Sequence, residues 1–463
     1  MRLLPRVFAL LALSLFASQA FAGGSIKVDI NGVPLHWEGS VVFNPDKGGL
    51  KNSNPSYDHA NTVKIMNDAF ATWINLLPAV GGGLSFSEGA GIPETGSDVD
   101  VSNYGQFFGV GTNECYDNDP GTPCVNPVIF DADGEIIDDL FGACSKFSIL
   151  GFAGFDDIED GSGDPARTVV KRGQALFSGA CIGPAETKAG CGSCKRTLTD
   201  NEIRTIITHE IGHLLGMDHS QVNPDSYLQC LRGGGCDTAT AQDIPTMFPI
   251  LVEGAGMVDL HRDDKAYFQR LYGRDGDNSC SVSGKILASD GQTEVRGVEV
   301  VARNVNAGTA DAISFISGAE SPKINNFSRK QGNCKSDCGA YTLAGLAPGE
   351  TYQLCVQHIL SQFTGGSSIE PVDPPFQGIT DDCPHGLTVT CDCPSGNGCP
   401  QISGKDITTD VNPGSIDQGG EEPQIVDPGA DQGGGGGCSL MLPRRVKTGL
   451  SPWYFLKSQL PKN

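Results

Sequence analysis

The sequence predicts an α+β domain followed by an all-β sandwich and a disordered tail, and three observations carry that prediction. Between Val28 and about Gly273, helix-period and strand-period apolar patterns are mixed. From Cys280 onward, short runs of alternating apolar and polar residues are separated by turn residues. After Cys399 the composition changes to Gly, Asp, Pro, Gln and Glu, with few apolar side chains to bury. The divisions fall at 1–22, 23–275, 276–394 and 395–463.

The first segment reads as an export signal. Arg2 and Arg6 precede an apolar run from Val7 to Phe16, and Ala20-Phe21-Ala22 supplies the small-x-small pattern of a cleavage site. A membrane span needs about 20 apolar residues, and neither this run nor any later one is long enough. The mature chain is therefore expected to begin near Gly23, as a secreted monomer without a transmembrane span.

Seventeen cysteines agree with an oxidising compartment. Eight fall between Cys115 and Cys236 and eight between Cys280 and Cys399, so pairing within each domain is the simplest expectation. Cys230 and Cys236 flank a loop that a local bridge can close, and Cys191 and Cys194 read as structural disulfide partners rather than a metal knuckle. Acidic residues outnumber basic ones, 55 to 32, which disfavours nucleic-acid binding because most of the surface would repel a phosphate backbone.

Within the first domain, Val63, Ile65, Met66, Phe70, Trp73, Ile74 and Leu77 recur at helical spacing and predict a long amphipathic helix. Leu84 to Phe86 and Val99 to Val101 are strand candidates. In the second domain, the runs beginning at Val282 and Val298 enclose Ser289-Asp-Gly and predict a β-hairpin, with further strands near Gly339 and Thr351.

The chemistry concentrates between Thr199 and Ser220. Thr199 and Glu202 have capping-box spacing, so a helix should start there. Ile203, Ile207, Ile211 and Leu214 form its apolar stripe, while His209 and His213, four residues apart, project together from a neighbouring face. Gly216 tolerates the positive φ that ends a helix, and so lets the chain swing His219 toward the same point. Three imidazoles leave a tetrahedral zinc one open position, and Glu210 beside it is placed to act as general base.

These residues, H-E-I-G-H-L-L-G-M-D-H-S from His209 to Ser220, resemble the metzincin zinc metallopeptidases, with Ser220 pointing to the matrixin branch. Pro245-Thr-Met247-Phe-Pro249 is similar to the Met-turn of that family, and Asp263 to Gly273 resembles the helix that closes matrixin catalytic domains. The resemblance spans residues 28–273. It implies a secreted zinc endopeptidase acting on proteins or peptides, with His209, His213 and His219 as zinc ligands and Glu210 as general base. It further implies Met247 as an apolar floor beneath the metal, and Phe248, Pro249 and Ile250 along a substrate pocket. The second domain resembles carboxypeptidase-regulatory-like, prealbumin-type sandwiches, over about a hundred residues with weak motifs.

Histidines that would hold a second, structural zinc in matrixins have no counterpart, since none lies between His59 and His209. Calcium is the alternative stabiliser, with Asp131, Asp133, Asp138 and Asp139 as hard oxygen ligands, against the plainer reading of a solvated acidic turn. His36, His59, His261, His358 and His385 are expected at the surface or in packing. The five glycines leading into Cys438-Ser-Leu resemble bacterial C-terminal sorting tails. Arg444, Arg445 and Lys447 follow almost at once, so surface attachment and an unstructured tail both stay open. The rival function is a non-catalytic, zinc-stabilised adhesion protein that binds through its sandwich. Retention of Glu210, which metal binding does not need, weighs against it. A non-peptide amide or ester hydrolase is a third reading.

Overall fold

The computed structural model describes residues 24–77, 84–92, 98–108, 125–160, 168–183, 187–188, 191–194, 196–220, 222–233, 235–253, 257–273, 279–324, 334–357, 359, 380–384, 386–394, 398–416 and 436–438. The expected signal peptide, His358, His385 and the basic end of the tail lie outside these. The fold is α+β.

The first unit is built on one mixed sheet. Its strands are β1 (Ser40–Pro45), β2 (Ser85–Glu88), β3 (Pro127–Asp131), β4 (Gly151–Asp160) and β5 (Thr168–Ser178), and β6 (Thr187–Lys188) and β7 (Gly192–Ser193) form a separate small ladder. β2, β1, β3 and β5 run parallel to their neighbours, whereas β4 pairs antiparallel with β5. β3 is buried at every position, as a central parallel strand covered on both faces must be.

Among the described residues six helices accompany this sheet: α1 (His59–Ile74), α2 (Glu135–Phe141), α3 (Asp200–Leu214), α4 (Pro224–Gly233), α5 (Thr238–Gln242) and α6 (Arg262–Tyr272). α1 is the amphipathic helix foreseen in the sequence. Asp58 caps it by accepting from Asn61 N, and Met66, Phe70 and Trp73 form its buried face. Phe70 stacks between Phe43 and Phe86, with ring centroids 4.6 and 4.7 Å away, which fixes the helix on β1 and β2. The strand expected at Val99 does not form. Val99 is buried in a loop, and its N–H is taken by the Asp46 carboxylate instead of a ladder partner.

The second unit contains β8 (Cys280–Leu287), β9 (Glu299–Asn304), β10 (Gly308–Ile316), β11 (Ala340–Leu346), β12 (Thr351–Gln357), β13 (Thr388–Thr390), β14 (Gln401–Ile402) and β15 (Ile407–Thr408). One sheet has the order β10-β9-β12-β13; the other is β11-β8-β14, with β15 also on β8. The expected hairpin between β8 and β9 is not made, because the two strands enter different sheets. The reason lies in β9, where Glu299 to Ala302 are all buried. Val300 and Ala302 of that run join the large apolar core, while Val301 packs with Ala312 and with Val222 of the first unit. A two-sided burial of this kind needs a central strand.

The boundary drawn at residue 395 also moves. β14 and β15 pair parallel with β8, and Ile407 and Val411 are buried, so residues 398–416 belong to the second unit instead of a linker. A last strand, β16 (Gly436–Cys438), pairs antiparallel with β4.

Seven disulfides join described cysteines, all within one unit or the other: Cys144–Cys191, Cys181–Cys194, Cys230–Cys236, Cys280–Cys391, Cys334–Cys338, Cys355–Cys383 and Cys393–Cys399. The local bridge at Cys230 forms, while Cys191 and Cys194 each take a different partner. No helix among the described residues is long and apolar enough to cross a membrane.

Candidate metal centre

α3 starts where its sequence says it should. Thr199 accepts from Glu202 N, the Glu202 carboxylate accepts from Thr199 N at 2.8 Å, and Arg196 closes on the same carboxylate. Its stripe of Ile203, Ile207, Ile211 and Leu214 is buried. Two indoles then hold the helix: Trp73 Nε1 donates to Thr208 O at 2.9 Å and Trp37 Nε1 to Leu214 O at 2.7 Å.

The helix stops at Gly216, whose φ of +90° is open to glycine at little cost. A side chain there would also meet Phe155, since a Cβ would lie 2.8 Å from Cζ. Met217 N returns to Gly212 O, and the chain reverses to bring His219 over the helix.

The three histidines meet. His209 Nε2 lies 3.2 Å from His219 Nε2 and 2.9 Å from His213 Nε2, and all three rings are fully buried. His209 Nδ1 is 2.7 Å from Thr246 O and His213 Nδ1 is 2.8 Å from Met217 O. A carbonyl can only accept, so each Nδ1 carries the proton and each Nε2 presents a lone pair. His219 Nδ1 is buried without a protein partner. Burial holds His209 down to about 4, and burial together with the neighbouring imidazoles holds His213 and His219 well below the ordinary 6.5.

Neutral imidazoles with lone pairs turned on one another repel unless a cation lies among them. Zinc suits this donor set: tetrahedral bonds of about 2.0–2.1 Å separate ligand nitrogens by roughly 3.3 Å, close to the spacing found here. The residues therefore fit the ion.

Glu210 is fully buried beside this cluster. Gly151 at the start of β4 lies against it so closely that a Cβ there would come 2.6 Å from Glu210 Cγ. Met247 is buried under the helix, where a Cβ on Gly212 would come 2.4 Å from its Sδ. The Met247 loop is held by Asp264, which accepts from Thr246 N at 2.9 Å and Met247 N at 3.1 Å. Asp264 thus fixes the segment whose carbonyl orients His209.

Phe248, Pro249 and Ile250 are all buried. Phe248 sits 5.1 Å from the Tyr227 ring, in a cluster with Cys230, Ile244 and Ile250. The short helix α4, between His219 and Met247, therefore packs on Phe248 and Ile250, two of the residues assigned to a substrate pocket.

The four acidic residues proposed for calcium do not converge. Asp131 Oδ2 accepts from Ile137 N, Asp133 Oδ1 from Glu135 N and Asp138 Oδ1 from Lys146 N, while Asp139 accepts from the Tyr104 hydroxyl. Among the described residues only two groups bring three or more metal-binding atoms within 4.8 Å of one another: the histidine triad and Cys280, Cys391, Cys393 and Cys399. The four sulfurs are joined as two disulfides, and a disulfide sulfur is not a thiolate.

The sequence pointed to the three histidines, Glu210 and Met247. What it missed were the Asp264 carboxylate that holds the Met247 loop, the carbonyls of Thr246 and Met217, and Gly151 against Glu210, none of which has a residue-type signal. His261 was expected in packing and is more than that, since it caps α6 by accepting from Asp263 N. No protein-family model matches the chain, and comparison with curated proteins and with solved structures finds no match.

Proposed function

We propose that this chain is a zinc-dependent endopeptidase of the metzincin type, matrixin-like, exported from the cell and acting on proteins or peptides. The observation that carries the reading is the convergence of three Nε2 atoms beside a buried carboxylate, on one helix and the turn that follows it.

His209, His213 and His219 would hold the ion. When bound, zinc supplies Lewis acidity, which polarises a carbonyl and lowers the pKa of water. Glu210 takes the proton from the attacking water and returns it to the departing amine, which requires a carboxylate beside the metal that is not itself a ligand. Gly151 leaves room for that carboxylate, because any side chain there would collide with it. Met247 and Asp264 act as positioning residues, fixing the floor of the centre and the carbonyl behind His209.

The test compares the purified full chain with Glu210→Ala for zinc content and casein digestion. The reading expects equal zinc in both, with turnover falling by about 10²–10⁴-fold in the variant, the usual contribution of a general acid–base group. Equal turnover removes Glu210 from the chemistry. Zinc without turnover in the natural chain ends the peptidase reading.

A further inference from the structure

β4 ends the five-stranded part of the first sheet, and its outer side would present unpaired N–H and C=O groups to any extended chain. That side is taken. Gly436 lies opposite Phe155, Gly437 opposite Gly154 and Cys438 opposite Ala153, in antiparallel register, and the same strand lies against α3.

Antiparallel register gives the segment a direction. As the tail advances from Gly436 to Cys438, its partner numbers fall from Phe155 to Ala153, toward Gly151. Gly151 is two residues, or about 7 Å, farther along β4, and it is the residue packed against Glu210. The segment therefore runs along the free edge of β4 toward the carboxylate of the metal centre.

Intrinsic preference does not explain a strand here. Glycine is a poor strand former, since it loses the most backbone entropy and brings no side chain to pack. What a Gly-Gly segment offers is uncrowded main chain, free to hydrogen-bond to an open edge. The tether is long enough, because twenty residues from Ile416 to Gly436 reach about 70 Å when extended. A covalent link also gives the segment an effective concentration in the millimolar range against any free peptide.

We infer that the outer edge of β4 is a strand-docking groove beside the metal centre, and that its resident occupant is this chain's own Gly436–Cys438 segment, which a peptide must displace to lie along β4. The occupancy rests on strand register alone; its effect on turnover rests on the peptidase reading proposed above.

The experiment uses the full chain and the double variant Gly436→Pro with Gly437→Pro, which removes whichever of the two N–H groups faces β4. Hydrogen exchange is followed in 153–155, at amides turned away from β5, with amides of β5 as the internal control for folding. The inference expects these edge amides to exchange at least ten-fold faster in the variant while β5 is unchanged. It further expects kcat/KM on casein to rise at least ten-fold. Equal exchange in the two proteins overturns the docking. Faster exchange with unchanged kcat/KM overturns the competition with peptide. Faster exchange with no turnover in either protein leaves the docked strand standing and brings down the peptidase reading instead.

Discussion

The Ser220 hydroxyl donates to Asp263 Oδ2 at 2.5 Å, which ties the residue after His219 to the first turn of α6. The other oxygen of Asp263 accepts from Ser314 N in β10 at 2.6 Å, so one buried carboxylate joins the turn after α3, the start of α6 and the second unit. Replacing it with Ala leaves a buried hydroxyl and a buried N–H without their acceptor, at about 1–3 kcal/mol each. Asp263→Ala should therefore lower unfolding free energy in urea by about 3 kcal/mol, and Asp263→Asn by less. An Ala variant as stable as the natural chain would show that this carboxylate does not couple the units.

Gly216 makes a second prediction. At φ +90° an Ala costs about 1–2 kcal/mol in the backbone alone, and its Cβ would press on the Phe155 ring. Gly216→Ala should lose stability and also weaken zinc binding, because the turn that delivers His219 is displaced. A control at Gly105, where an added Cβ meets nothing within 4 Å, should do neither. Unchanged zinc affinity in Gly216→Ala would mean that the turn does not set the third ligand.

Glu299 gives a pH dependence. It is buried in β9, Oε1 has no protein partner, and burial, with Asp263 nearby, pushes its carboxyl from the ordinary 4.5 up to about 7. The folded state then holds a proton that the unfolded chain has released, so stability from this group is full below about 4.5 and is lost as pH rises toward 7. Glu299→Gln removes that loss. Its stability relative to the natural chain should grow by about 2–3 kcal/mol between pH 5 and pH 8, at about 1.4 kcal/mol per pH unit across the shift. A difference that stays constant with pH would place the titration elsewhere.

Much of this molecule can be read from its sequence wherever a pattern and its cause are local. The helix over Val63 to Ile74 follows from apolar spacing, α3 from its capping box, and the meeting of His209, His213 and His219 from helical geometry and one glycine. Reading failed where the cause was distant. β9 looked like a hairpin partner because its second buried face is supplied by Val222 of the other unit. Residues 398–416 looked like linker because a short strand such as Ile407–Thr408 buries too few residues to register as a pattern. The acidic turn from Asp131 left calcium and a solvated turn both open, and its carboxylates accept from nearby amides and from the Tyr104 hydroxyl, a use that composition cannot distinguish from metal ligation.

Zinc K-edge X-ray absorption on the full chain, purified without added metal, tests the centre most directly. Three imidazole nitrogens at about 2.0–2.1 Å with one further light ligand are predicted, at one zinc per chain, and the signal should vanish in His213→Ala. Sulfur scattering at about 2.3 Å would move the metal to Cys280, Cys391, Cys393 and Cys399, and a chain without bound metal would contradict the account outright.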